Sequence, residues 1–563
     1  MTAIWISWVS PIPTVNMQAI KSHPLRRRLP APLFYDRDIY AMKNLAFIGA
    51  ALLCGTAFNL PAHAEAPAAM KQEAVAEVDS RAKLVQEMVD SIFSFAEPGF
   101  QEYRTSEYVT GILEENGFTI EHGVAGIPTA WTATWRQGTG GPKIALGSDI
   151  DALLGLSQTP GTGDIKPLVK GAPGHGEGHN SGMPAIVAAA LSAKEVMEKE
   201  GLSGELMIWP GVAEELLATK AFYVRAGLFD EVDASIFTHV SSGFVTAWGD
   251  MGMNGMVSVE YNFHGKTAHG AGAPWDGRSA LDGVELMDAA WNMRREHLPL
   301  SQRSHYIISN GGGQPNIVPG EASVWYFFRD KDFAGVRTLY ETANTISEAA
   351  ASASGTTVDR RLLGYAAPNY GNRPLAEAAY RNIEYIGMPE WTADDQVFVR
   401  KIQDANGFKP QPLADEVMPL STPENRTTST GASDDIGDVM WAVPTITIGY
   451  PSNAPGVIYH NVTAAMTMAT PIAHKGAVAG AKAVALTILD IVTTPQLVED
   501  ARAFRENVQL KEASYDPVLT AADQPAIDLN EELMQRMRPK MEPFYYDSTR
   551  YDSYLEQLGI AYP

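Results

Sequence analysis

Apolar residues recur at spacings of three and four through Val85, Met88, Val89 and Ile92, and again through Tyr108, Ile112 and Leu113. That is the period of an amphipathic helix, and two helices are predicted between about Val75 and Gly117. Short β-rich runs follow at Thr129 to Trp135 and Lys143 to Gly147. The pattern then predicts a helix over Pro184 to Glu198, a strand over Glu205 to Trp209, a helix over Ala213 to Ala226 and a strand over Ala234 to Thr238. Strands and helices that alternate in this way make an α/β layer with a largely parallel sheet.

Near Trp248 the pattern changes. Val257 to Phe263 alternates as a half-buried strand, Ser279 to Glu296 is helical, Tyr306 to Ser309 and Ala322 to Phe328 are strands, and Phe333 to Ser354 is helical. This order predicts a compact α+β domain inserted over residues 249–364. After Gly364 the chain rejoins the first domain, with Pro444 to Tyr450 as a core strand and Gly476 to Ile491 as an Ala-rich helix. The first domain is thus expected over 65–248 and 365–510. The Tyr- and Pro-rich segment 511–563 reads as an appendage.

Composition narrows the partners. The chain has 563 residues and a formal net charge of -23, which disfavours nucleic acid and anionic membranes and leaves a small molecule as the natural ligand. From Met42 the order Met-Lys-Asn, an apolar run from Leu45 to Leu60, then Pro61-Ala62-His63-Ala64 is that of a secretory signal cleaved after Ala64. Residues 1–41 are then an upstream extension, 42–64 the signal, and the mature protein periplasmic or secreted and free of the membrane. Cys54 is the sole cysteine, so the mature chain would hold neither disulfides nor thiolate ligands.

Candidate chemistry is concentrated in a few segments. Pro173-Gly174-His175-Gly176-Glu177-Gly178-His179-Asn180 interleaves imidazoles and a carboxylate with glycines just before a helix, so several ligands can converge on one point. A solvated Gly-rich loop is the plainer alternative. Glu214-Glu215 follows a strand at the C-terminal edge, where one carboxylate can bind metal and its neighbour act as general base. By itself such a pair is more often a helix surface. His239 ends the next strand, and His474-Lys475-Gly476 opens a late helix. The inserted domain adds His264 to His269 at a strand end and Gly311 to Asn316 at a turn, either of which suits ordinary turn chemistry.

Taken together and in order, these segments resemble the aminoacylase and carboxypeptidase group of dinuclear metallopeptidases, in particular the aminobenzoyl-glutamate hydrolase B-subunit type. The resemblance also runs through Ala96 to Phe100, Asp151 to Leu153, Leu156 to Gln158, Arg225 to Phe229, Ala273 to Trp275, Gly277 to Leu281, Asn310 to Pro319 and Gly437 to Val439. It implies a zinc-peptidase-like catalytic domain with an inserted lid and dimerisation domain. It further implies Glu214 as general base and acid, and His179, Glu215, His239 and His474 as ligands of two divalent metals. His269 would steady the oxyanion, within its own chain or across a dimer interface, and Asp151, behind the metal site, is counted with Glu214 and His269 among the catalytic residues. Asn316, His264 and His460 are assigned to substrate contact. The expected substrate is a small N-acyl amino acid, aminobenzoyl-glutamate-like or a more hydrophobic amide, and the expected assembly a homodimer or larger homo-oligomer.

One position departs from the pattern. Relatives carry a metal-binding Cys where this chain has Glu177, and a bridging carboxylate is expected to take its place. Zinc is the first expectation, and the oxygen ligand admits Mn or Co beside it. A dipeptidase or aminopeptidase of the same group, or a binding protein that kept the fold, are the alternatives.

Overall fold

The structure is a computed structural model and describes residues 65–426 and 431–563. The expected upstream extension 1–41 and signal segment 42–64, with Cys54, lie outside the described residues. The helices that position the site are α1 (Ala68–Ser80), α2 (Ala82–Phe95), α3 (Gly182–Glu200), α4 (Ala280–Arg294), α5 (Phe333–Ser354) and α6 (Pro471–Thr493). With Tyr103–Glu115, the N-terminal region holds three helices rather than the two expected, because the chain turns at Arg81 between α1 and α2.

A seven-stranded sheet forms from β1 (Thr119–His122), β2 (Trp131–Gln137), β3 (Lys143–Asp149), β4 (Gly204–Gly211), β5 (Ala234–Ser241), β6 (Val245–Thr246) and, far along the chain, Thr445–Pro451. Its centre is parallel, with β4, β3, β5 and Thr445–Pro451 side by side and antiparallel strands only toward the edges. In register, Asp149 lies beside Gly211, Ser148 beside Thr238 and His239 beside Gly449. The four parallel strands therefore end together, and whatever follows them meets at one edge.

Continuous apolar runs suit strands buried on both faces. Ile144, Leu146, Ile208, Ile236 and Ile448 are buried in one cluster with the Ala-rich faces of α3 and α6. Helix α6 is long and apolar enough by composition to cross a membrane, but 78% of its apolar window is buried inside the protein, as befits a core helix.

The inserted domain is a four-stranded antiparallel sheet of β7 (Gly255–His264), β8 (Arg303–Asn310), β9 (Glu321–Asp330) and β10 (Thr357–Ala366), in the order β10-β7-β9-β8. Alternate residues Val257, Val259, Tyr261, Val324, Tyr326 and Phe328 pack against Val284, Met287, Trp291, Val336 and Leu339 of α4 and α5. The opposite face of β9 presents Trp325, Phe327 and Arg329, which are half-buried.

Two expectations change. The helix foreseen over Ala213 to Ala226 is broken into a single turn at Glu214–Leu216 and a short helix at Lys220–Arg225. The segment 511–563 is no loose appendage: Val518 is buried with the inserted domain, Tyr515 Oη donates to Asp438 at 2.7 Å, Arg361 pairs with Asp528, and Arg538 pairs with buried Glu97 at 2.9 Å.

Candidate active site

The loop before α3 carries the first donors. Gly178 has φ +134, and a Cβ there would lie 2.6 Å from Met468 Cε and 2.9 Å from Val240 Cγ2, so a side chain would be strained and crowded. The tight path brings Glu177 and His179 over the sheet edge.

Beyond β4, the Glu pair sits on one turn bounded by two left-handed residues, Ala213 at φ 52 and Leu217 at φ 51. Non-glycine residues there are strained and persist only where surroundings fix them. Here Ala213 N donates to Glu102 Oε1 at 2.8 Å, and Thr219 Oγ1 donates to Val212 O. The turn aims Glu214 and Glu215 back at the loop.

Six side chains converge. Glu177 Oε1 is 3.5 Å from His239 Nε2, while its Oε2 is 3.9 Å from His179 Nε2 and 3.1 Å from His460 Nε2. His460 Nε2 is also 3.4 Å from Glu215 Oε2, and His179 Nε2 is 3.9 Å from Glu214 Oε2. Glu177, at the position where the resemblance expects Cys, is thus ringed by three imidazoles.

The imidazoles are held from behind. His179 Nδ1 is 3.3 Å from Asp151 Oδ1, and Asp151 Oδ2 accepts from Glu215 N at 3.0 Å. His239 Nδ1 is 2.9 Å from Val240 O. Anchoring one ring nitrogen in this way orients the other for a metal. Asp151 therefore positions two site residues from behind, rather than facing a substrate.

The residues present fit divalent metal ions. Ligand atoms of Glu177, His179 and Glu215 lie within 4.8 Å of one another, as do those of Asp149, His179 and His239. His179 Nε2 and Glu215 Oε2 are buried without any hydrogen-bond partner, a costly arrangement that a cation would relieve. Imidazole and carboxylate donors match zinc and the harder first-row ions alike. A further acidic group, Asp149, Glu214 and Asp434, is of another kind. Its cation is built in, because the buried Lys220 ammonium lies 2.6 Å from Asp149 Oδ1, within bonding reach of Asp435, and 4.0 Å from Asp434.

Electrostatics follow from burial and neighbours. Burial, then the charges of Asp149 and Asp434, raises Glu214 well above the usual carboxylate range. Burial also works against ionisation of Glu177, but the hydrogen bond from His460 and the charges of His239 and His179 outweigh it and bring Glu177 down to about 2. At His179 burial opposes the charged form, and the Asp151 hydrogen bond with the carboxylates of Glu215, Asp149 and Glu177 overcomes it, raising the pKa.

Other expected positions lie elsewhere. His474, foreseen as a ligand, is in the first turn of α6 with Nε2 2.7 Å from buried Asp90 Oδ1, and belongs to neither donor group. That expectation is corrected: Asp90 holds His474, and His460, foreseen for substrate contact, stands among the donors instead. His460 reaches them from the loop after Thr445–Pro451, with φ 56. His264 pairs with Glu321 and Asp359 on the inserted sheet, so its assignment to substrate contact is not met in this chain. His269 and Asn316 are exposed, and their turns are joined by Gly270 N donating to Asn316 O at 2.8 Å. Neither lines the cavity at the donors.

That cavity, about 750 Å³, is bounded by Glu177, Glu214, Glu215, His239 and His460 on one side and by Phe327 and Arg329 of β9 on another. Sequence reasoning missed Asp149, Asp434 and Arg329. The Asp434-Asp435 pair before a helix was a readable signal, whereas Arg329 has the period of a solvent-facing strand position.

The peptidase dimerisation domain family matches residues 251–354, the inserted domain. Over 458 residues the chain is 32% identical to the B-subunit of p-aminobenzoyl-glutamate hydrolase from Escherichia coli, covering 77% of this chain and 94% of that one. The chain belongs to the M20 peptidase family, in the aminobenzoyl-glutamate hydrolase B-subunit group. M20 membership makes it a metal-dependent amidohydrolase or peptidase. Another relative is the Xaa-Arg dipeptidase of Mus musculus, 28% identical over 77% of this chain and 91% of that protein. A solved structure described as a candidate aminohydrolase, from methicillin-resistant Staphylococcus aureus, shares the M20 fold at a TM-score of 0.52 and 18% identity, covering 75% of this chain and all of that one.

Proposed function

We propose that the protein hydrolyses the amide bond of a small N-acyl amino acid. The observation that carries this reading is Glu214, buried beside metal-competent donors and facing a cavity that also presents the Arg329 guanidinium. Among the described residues Arg329 forms no ion pair, and its Nε is buried without a partner. A free carboxylate on the substrate is the natural counter-charge.

Glu177, His179, Glu215, His239 and His460 would hold two divalent ions, with Zn, Mn or Co admitted by the donor set. Such ions supply Lewis acidity, which activates water near neutral pH and polarises the amide carbonyl. Glu214, as carboxylate, takes the proton from the attacking water and passes it to the departing nitrogen. Asp151 fixes the His179 ring and the Glu215 backbone. Arg329 draws the carboxylate to one side of the scissile bond, which sets the carbonyl against the donors.

In this proposal the inserted domain joins two chains, and His269 and Asn316 serve the site of the second chain, where His269 steadies the oxyanion. Export is part of the same proposal. A thiolate ligand is open to oxidation outside the cytoplasm, and Glu177 is not.

Purified protein loaded with Zn, Mn or Co in turn, given N-acyl amino acids and free dipeptides side by side, tests the reading. Release of the amino acid from the blocked substrates is expected. Turnover of free dipeptides alone would assign the protein to the dipeptidases instead.

A further inference from the structure

The C-terminal segment grips a loop that in turn grips the Glu214 turn. On the outer side of that loop, Asn530 Nδ2 donates to Gly99 O at 3.0 Å, and Gln101 Nε2 donates to Leu529 O at 3.1 Å. Arg538 Nη2 donates to Gln101 O and to Glu97 Oε1, each at 2.9 Å. Asn530 caps the helix Glu531–Met541, and Arg538 lies within it. Met534 and Met541 of this helix are buried in one apolar cluster with Ala96 and Ala152.

On its inner side the loop holds the catalytic turn. Glu102 is fully buried, and its Oε1 accepts from Phe100 N at 3.1 Å and from Ala213 N at 2.8 Å. Gly99 lies so close that a Cβ there would be 2.8 Å from Ala213 Cα. Glu97 O accepts from Ala152 N at 2.8 Å, beside Asp151, whose carboxylate holds Glu215 N and the His179 ring.

Strain is concentrated along this path. Among the described residues seven non-glycine positions have positive φ, and five of them are here: Ala96, Phe100, Ala213, Leu217 and Asn530. Each conformation is costly in isolation and persists only where neighbours over-determine the backbone. Neither Asn530, Arg538 nor any residue of the loop 96–102 lines the cavity. Whatever they do for a substrate passes through the turn.

Resting on the assignment of Glu214 as general base, we infer that Asn530 and Arg538 are positioning residues, which brace the loop 96–102 so that it holds Glu214 at its working place. The segment 511–563 is then part of the catalytic apparatus, although it touches no substrate. A base displaced by a fraction of an ångström transfers its proton less well, so the brace acts on turnover rather than on binding.

A double-mutant cycle tests this. Arg538→Met, Arg538→Lys and Asn530→Gly are measured alone and combined with Glu214→Gln, at saturating zinc. The substrate is the compound of the panel above, N-acyl amino acid or free dipeptide, that the wild type cleaves fastest. Asn530→Gly removes the side-chain donor and keeps a residue suited to φ 64. Arg538→Met should lower kcat roughly 10- to 100-fold and leave KM near wild type. Arg538→Lys, which keeps a charge beside Glu97, should recover part of that loss, and Asn530→Gly should lose less than Arg538→Met. In the Glu214→Gln background neither substitution should cost anything further, because no base is left to misplace. A purely structural role would cut kcat by the same factor in both backgrounds. That result, or full kcat in both Arg538→Met and Asn530→Gly, would overturn the brace. If Arg538→Met does not fold, Asn530→Gly carries the same comparison. Full activity in Glu214→Gln alone would instead remove the base assignment, and the brace with it.

Discussion

The edge of the large sheet and the rim of the inserted domain both carry histidines that sequence reasoning marked for chemistry, and the structure treats them oppositely. At the sheet edge, His179, His239 and His460 converge on one carboxylate at 3.1 to 3.9 Å, and the first two have their second nitrogen anchored. On the inserted domain, His264 is engaged with two exposed acids, and His269 Nδ1 accepts from Ala271 N and Gly272 N within its own turn. Parallel strands ending in register create a point of convergence that an antiparallel sheet, with its loops split between two ends, does not. The edge is a site within one chain. In the reading proposed above, the rim serves the site of a second chain.

The sharpest way to break this contrast is Glu214→Gln. It should cost roughly 10²- to 10⁴-fold in kcat, the usual share of a general base, while bound metal stays at the wild-type level. Retained activity would remove Glu214 from the mechanism.

Asp151→Asn should act through its neighbours. Loosening the His179 ring is expected to weaken metal affinity roughly 10- to 100-fold, read by titration with zinc. An unchanged affinity would mean that the 3.3 Å contact does not orient the ligand.

For the rim, His269→Ala and Glu214→Gln can be mixed after each has been purified as an inactive variant. Recovery of activity on subunit exchange is expected, since one pairing then carries an intact base and an intact His269. No recovery would place His269 outside the chemistry or in the site of its own chain.

The smallest effect concerns the core of the inserted domain. Asp288 accepts a 2.5 Å hydrogen bond from Tyr326 Oη, and burial pushes its carboxyl up to about 6. A raised pKa favours the protonated fold, so this contribution is complete below about 4 and is lost as pH rises through about 6. Asp288→Asn mimics the neutral form, and its Tm advantage over wild type should be larger at pH 7 than at pH 4. An equal gap at both would assign the shift to something else.

Much of the fold was legible because apolar runs and periods report burial directly. The Glu177 to His179 loop was legible because few structural reasons place so many donors between glycines. The Glu214 turn was not. Its local period is helical, and contacts from far along the chain help hold Ala213 left-handed, among them Glu102 with Ala213 N and the close approach of Gly99 to Ala213. His474 was misread for a related reason. It opens a well-formed helix in a matching motif, but that helix starts beside Asp90 of α2, whereas the loop bearing His460 leaves a strand at the shared edge. Which histidine arrives is decided by strand order, and strand order is not written locally.

Metal content of the purified variants tests that exchange of His474 for His460 most directly. His460→Ala should lose bound divalent metal after dialysis against a weak chelator, while His474→Ala should keep the wild-type stoichiometry and show only a lowered Tm from the lost contact with Asp90. Full metal in His460→Ala together with metal loss in His474→Ala would contradict the site described.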